Sequence, residues 1–110
     1  MGEKNMMKVM RKGDRTVQLL CCGTCGQWID DFRYAGVGFP IPDGEGDVQP
    51  AEVAHKGACL DALEAKIRST GKSFGWHELR SFMLNMCENS SLTTDAFQQL
   101  KDDQDRYGSV

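Results

Sequence analysis

Three of the five cysteines fall within five positions, Cys21-Cys22-Gly23-Thr24-Cys25, and a fourth, Cys59, follows His55 by four residues. No other feature limits the fold so strongly. A chain of 110 residues buries a modest core, and a small module inside it gains from a staple. That staple is not expected to be a disulfide. The opening stretch, MGEKNMMKVMRKGDR, lacks the apolar segment of a secretory signal, which implies a reducing, cytoplasmic setting. An odd cysteine count also leaves one thiol unpaired in any disulfide scheme.

Two chemistries remain for Cys22 and Cys25. Their Cys-x₂-Cys spacing suits a dithiol redox pair, whose first thiol is activated at a helix N-terminus. Here the motif runs into GQWIDDF, which begins with glycine and favours strand. A metal site needs a second half, and His55 with Cys59 supplies it. Read as the start of a helix, these two residues lie i and i+4 on one face, so imidazole and thiolate can converge. Zinc takes four such ligands in a tetrahedron, two commonly from a Cys-x₂-Cys turn. Gly26 gives the backbone freedom for amides to turn toward the sulfurs. Cys21 could replace Cys22, giving Cys-x₃-Cys spacing, but the x₂ form fits better and Cys21 suits a buried strand thiol.

A knuckle carrying Cys22 and Cys25, followed by His55 and Cys59 at a helix start, resembles a treble-clef zinc finger. The resemblance covers about residues 16–70 and implies a β-hairpin knuckle, a helix whose first turn supplies two ligands, and one structural Zn²⁺. The chain departs from that pattern in its His-x₃-Cys spacing and in a long Gly/Pro-rich insert.

The rest of the sequence places this module. Residues 1–15 show no clear period and suggest a flexible or weakly helical basic arm. Thr16–Cys21 is rich in strand formers, and the segment from Gln27 begins as a strand pairing back on it. Residues 35–50 hold four of the twelve glycines and all three prolines, which suggests an irregular connection. Three helices are expected to follow. The first, over residues 55–71, has Cys59, Leu63 and Ile67 on one face beside Leu60. It ends on Gly71 and carries a Glu64–Arg68 pair. The second, over residues 76–87, aligns Trp76, Leu79, Phe82, Met83 and Met86, with Cys87 in the same core and His77 on the surface. The third starts at Thr93 or Thr94, with Leu92 and Phe97 placed as a staple and Leu100 and Tyr107 continuing the face. The expected class is therefore α+β: a zinc-knuckle lobe over residues 16–70 and a helical lobe over residues 71–110.

Charge and motifs narrow the function. Residues 1–15 carry five basic and two acidic side chains, whereas residues 16–70 carry four and eight and residues 71–110 four and six. Any basic surface is thus the N-terminal arm, and the acidic balance of the rest weighs against a nucleic-acid footprint on the folded body. Asp43-Gly-Glu-Gly-Asp47 invites a calcium reading, but the loop positions that would need Gly and Glu hold Val48 and Ala54. It suits a solvated turn. No apolar run is long enough to span a membrane. Four protein ligands close a zinc site, and a catalytic site keeps one position for water. The sequence thus predicts a non-enzymatic, zinc-stapled module that binds another protein or regulates it. The alternatives are a nucleic-acid-associated factor using the basic arm and, more remotely, a dithiol oxidoreductase.

Overall fold

The computed structural model describes residues 6–107, with side chains as far as Asp103. Glu3 and Lys4 of the basic arm and the side chain of Tyr107 lie outside the described residues. The class is α+β. Strands β1 (Met7–Lys12) and β2 (Arg15–Leu20) form a two-stranded antiparallel ribbon. Strands β3 (Ala35–Pro40), β4 (Glu52–His55) and β5 (Phe74–Glu78) form an antiparallel sheet with β3 in the middle. Helix α1 (Ala58–Arg68) lies between β4 and β5 in the chain, and α2 (Leu79–Asn89) and α3 (Thr94–Tyr107) follow. Two compact units result, one through Arg80 and one from Ser81 onward. Among the described residues, no helix is long and apolar enough to cross a membrane.

The first unit holds the core. Ile29, Val37 and Leu79 are its largest fully buried side chains. Leu60, Leu63 and Ile67 form the buried face of α1, spaced i, i+3 and i+7 as an amphipathic helix requires. Each fully buried side chain of this size contributes about 1.5–3 kcal/mol of transfer free energy. The exposed flank of α1 carries the expected ion pair, Arg68 Nε donating to Glu64 at 2.8 Å.

Four sequence expectations change here. Residues 7–12 are a strand paired from Met7↔Leu20 to Lys12↔Arg15, not a flexible or weakly helical arm. The segment after Gln27 makes only an isolated bridge, Cys21↔Trp28, and then a single 3₁₀ turn over Phe32–Tyr34. That turn is capped by Asp31, whose carboxylate accepts from the Arg33 backbone N–H and side chain. The Arg33 hydrogen bonds hold the Asp31 carboxyl down at about 2.

The insert over residues 35–50 is not wholly irregular either, because its first six residues are the central strand. Their glycines serve packing. A Cβ on Gly38 would lie 2.7 Å from both Leu63 Cδ2 and the Phe74 ring, and one on Gly36 would lie 3.0 Å from the Trp76 ring. Small residues let the helix and neighbouring side chains close over the sheet. Finally, Phe74–Glu78 is strand β5, so the second helix begins at Leu79 rather than Trp76. Aromatics at 74 and 76, flanking Gly75, suit a strand better than a helix once β3 offers an edge.

The second unit is different in kind. From Ser81 to Asp103 none of its residues is buried. Thr93 caps α3 as expected, its hydroxyl accepting from the Ala96 N–H at 3.2 Å. Leu92 and Phe97, the expected staple pair, line a cleft of about 310 Å³ with Met83, Leu84 and Cys87. Cys87 is half-buried there and Met86 half-exposed, so the core expected along α2 is a partly open apolar face.

Candidate metal centre

The turn after β2 makes the first half of the site. The Cys22 N–H donates to the Gln27 carbonyl at 2.9 Å, and the Gly26 N–H donates back to the Cys22 carbonyl at 2.9 Å. Gly26 has φ +79°, a left-handed value that other residues adopt only at a cost. The tight turn aims two backbone N–H groups at one sulfur. Thr24 and Cys25 donate to Cys22 Sγ at 3.3 and 3.4 Å.

The second half comes from the end of β4 and the start of α1. His55 is the last residue of β4, paired with Ala35, whereas Cys59 sits in the first turn of α1. The shared helical face expected for these residues is therefore not how they meet. Pairing to β3 holds His55 in extended backbone, and Gly57, at φ +92°, turns the chain into the helix. Strand end and helix start then face the same point.

Cys22, Cys25, His55 and Cys59 bring their ligand atoms within 4.8 Å of one another, close enough to hold a metal ion. Cys25 Sγ and His55 Nδ1 are 3.5 Å apart. A tetrahedron with metal–sulfur bonds of about 2.3 Å has sulfur–sulfur edges of about 3.8 Å. A slight contraction closes the cluster on an ion. All four residues singled out by the cysteine and histidine pattern are thus brought together. Cys21 is the buried strand thiol expected, at 3% exposure, and stands outside the cluster. His77 is exposed as expected, but on β5, where its ring stacks on Phe39 at 5.5 Å. The Asp43–Asp47 stretch is a turn in which Asp47 accepts from the Asp43 N–H.

Two contacts that join the halves have no signature in the sequence. The Thr24 hydroxyl donates to the Cys59 carbonyl at 3.1 Å, and the Gly23 N–H donates to the Val53 carbonyl at 2.7 Å. They lock the knuckle to α1 and β4. A residue inside a knuckle can supply such a clamp, but only the packed chain reveals which carbonyl it reaches.

Electrostatics divides the thiols of the cluster. Burial pushes the Cys22 thiol up, but hydrogen bonds from Cys25, His55 and Thr24 more than reverse this and lower it from 9.0 to about 6. Burial, reinforced by hydrogen bonds and repulsion with Cys22 and Cys25, raises Cys59 to about 11. Cys22 is an acid whose folded pKa is depressed. Its contribution to stability is complete above the unfolded value and is lost as pH falls toward about 6. Cys59 keeps its proton longer in the folded state, so it costs stability as pH rises from 9.0 toward about 11. Urea midpoints of metal-free protein should therefore rise between about pH 6 and 9 and fall above that. Cys22→Ser should flatten the rise and Cys59→Ser the fall. A parent profile that is flat over both ranges would contradict this arrangement.

Comparison of the chain with protein-family models, curated proteins and solved structures gives no significant match. The class of protein is therefore defined by its own features: an α+β chain with a clustered Cys₃His set at the junction of a knuckle, a strand and a helix.

Proposed function

We propose that the chain is a treble-clef-like, zinc-stapled interaction or regulatory module without enzymatic activity. The Cys₃His cluster carries this reading. Three thiolates and one imidazole suit zinc, and four protein ligands leave no open position for a reacting water. The metal is then structural, one ion per chain, holding the knuckle to β4 and α1. The presence of His55 and Cys59 beside Cys22 and Cys25 favours metal ligation over a dithiol redox pair, which needs only the latter two. A thiolate-ligated site with unbridged cysteines suits a reducing, cytoplasmic compartment.

The partner in this reading is a protein. Leu84, Met86, Phe97 and Leu100 are each about half-exposed in a unit with no buried residue between Ser81 and Asp103. Methionine-rich apolar surfaces of this kind accept an amphipathic helix. The test joins both halves of the reading. Purified protein should contain about one zinc per chain, and affinity capture should retain a protein partner. Phe97→Asp should abolish capture with zinc content unchanged. Capture that is indifferent to Phe97→Asp and to Leu84→Asp would remove the interaction reading, and absence of zinc would remove the structural one.

A further inference from the structure

The ribbon β1–β2 concentrates positive charge in a chain whose net charge is −3. Lys8, Arg11, Lys12 and Arg15 are all exposed, against one carboxylate, Asp14, in the connecting turn. Arg33, Lys56, Lys66 and Arg68 each pair with a carboxylate, whereas none of the four ribbon cations does so among the described residues. Arg11 spends its Nε–H on the Gly13 carbonyl instead.

The register sharpens this. Lys12 stands directly opposite Arg15, and directly opposed residues share a face of the ribbon. Like charges so placed are destabilising unless an anion lies between them. Lys8 lies on the same face, four residues and about 14 Å along the strand from Lys12. Arg11 projects from the other face, which also bears Thr16 and Gln18. The ribbon thus offers three cations on one face and one on the other within about 14 Å of strand.

We infer that the β1–β2 ribbon is a contact for duplex DNA, its cations engaging backbone phosphates as the ribbon lies along the major groove. The groove is about 12 Å wide and admits a two-stranded β-ribbon. The deep, narrow major groove of an RNA duplex does not. Single-strand binding relies on aromatic platforms, and residues 6–20 contain no aromatic side chain. Phosphate contacts position a protein without reading sequence, so this contact is electrostatic and sequence-independent. It stands apart from the metal reading, since none of its residues belongs to the cluster.

Fluorescence anisotropy of the full chain on a labelled duplex of about 20 base pairs tests it. Dissociation constants near ~10⁻⁶–10⁻⁴ M are expected. Four phosphate contacts give a log–log salt slope of about −3.6, so affinity should fall about 12-fold between roughly 50 and 100 mM salt. The triple variant Lys8→Gln, Lys12→Gln, Arg15→Gln leaves one contact and should fall only about 2-fold over that range. The charge-retaining pair Lys8→Arg, Lys12→Arg should keep the parent slope, which separates loss of charge from loss of the ribbon. The inference is overturned if the triple variant keeps the parent slope, or if the parent shows no duplex binding. It is also overturned if the parent binds a single strand, an RNA duplex or phosphatidylserine vesicles more tightly than the DNA duplex.

Discussion

Cys22→Ser is expected to strip the protein of its metal and to destabilise the region around the knuckle. Cys22 is the most enclosed of the four clustered residues, at 2% exposure, and its sulfur already accepts two backbone N–H bonds. A serine there keeps the shape but replaces the soft thiolate with a hydroxyl that zinc holds poorly. Binding of structural zinc is worth about 10–16 kcal/mol in zinc-finger peptides near neutral pH, and much of that is folding free energy. Cys25→Ser, His55→Ala and Cys59→Ser should also lower metal content, from about one ion per chain toward none after dialysis. Cys25 is exposed, so its loss should disturb packing least. Cys87→Ser and Cys21→Ser should keep their metal. The Cys21 variant should lose some stability, because it places a hydroxyl at a position only 3% exposed. Elemental analysis across this set decides the ligands. If Cys21→Ser loses metal and Cys22→Ser retains it, the assignment of the two adjacent cysteines is reversed.

Chelation should have an equally large effect, confined to one part of the chain. The cluster joins the knuckle to β4 and α1, and α1 in turn covers β3 through Leu60 and Leu63. Removing the ion leaves the Thr24–Cys59 and Gly23–Val53 hydrogen bonds to hold that junction. Each such bond is worth only about 0.5–1.5 kcal/mol net. Amide hydrogens of β3, β4 and α1 should then exchange faster by several orders of magnitude. Those of α2 beyond Ser81 and of α3 should change little, because a unit with no buried residue among those described, Ser81 to Asp103, is weakly protected with or without metal. Hydrogen exchange followed by mass spectrometry, with and without chelator, reads both regions in one experiment. Equal loss of protection in both would mean that the metal stabilises a single cooperative body.

These expectations rest partly on residues legible in the chain and partly on contacts that are not. The four clustered residues were visible from type and spacing, because a Cys-x₂-Cys turn and a nearby His and Cys have few common uses together in a reducing setting. The α1 face was legible from its period, and the start of α3 from Thr93 and its staple pair. Such signals are local: each depends on residues within one or two turns of one another.

What the sequence alone determined, then, is the four residues that cluster, the α+β class and the helices whose apolar faces repeat. The tertiary structure decided how the donors meet. His55 reaches the cluster from a strand because β3 pairs with residues 52–55, an interaction set by residues more than a dozen positions away. The glycines at 36 and 38 look like turn formers in one dimension and prove to be packing positions once α1 and β5 close over them. The basic arm became a ribbon for the same reason, since Met7–Lys12 has no period of its own and takes its extended form from pairing with β2. Strand pairing couples residues distant in the chain, and a local pattern cannot report a partner that lies elsewhere.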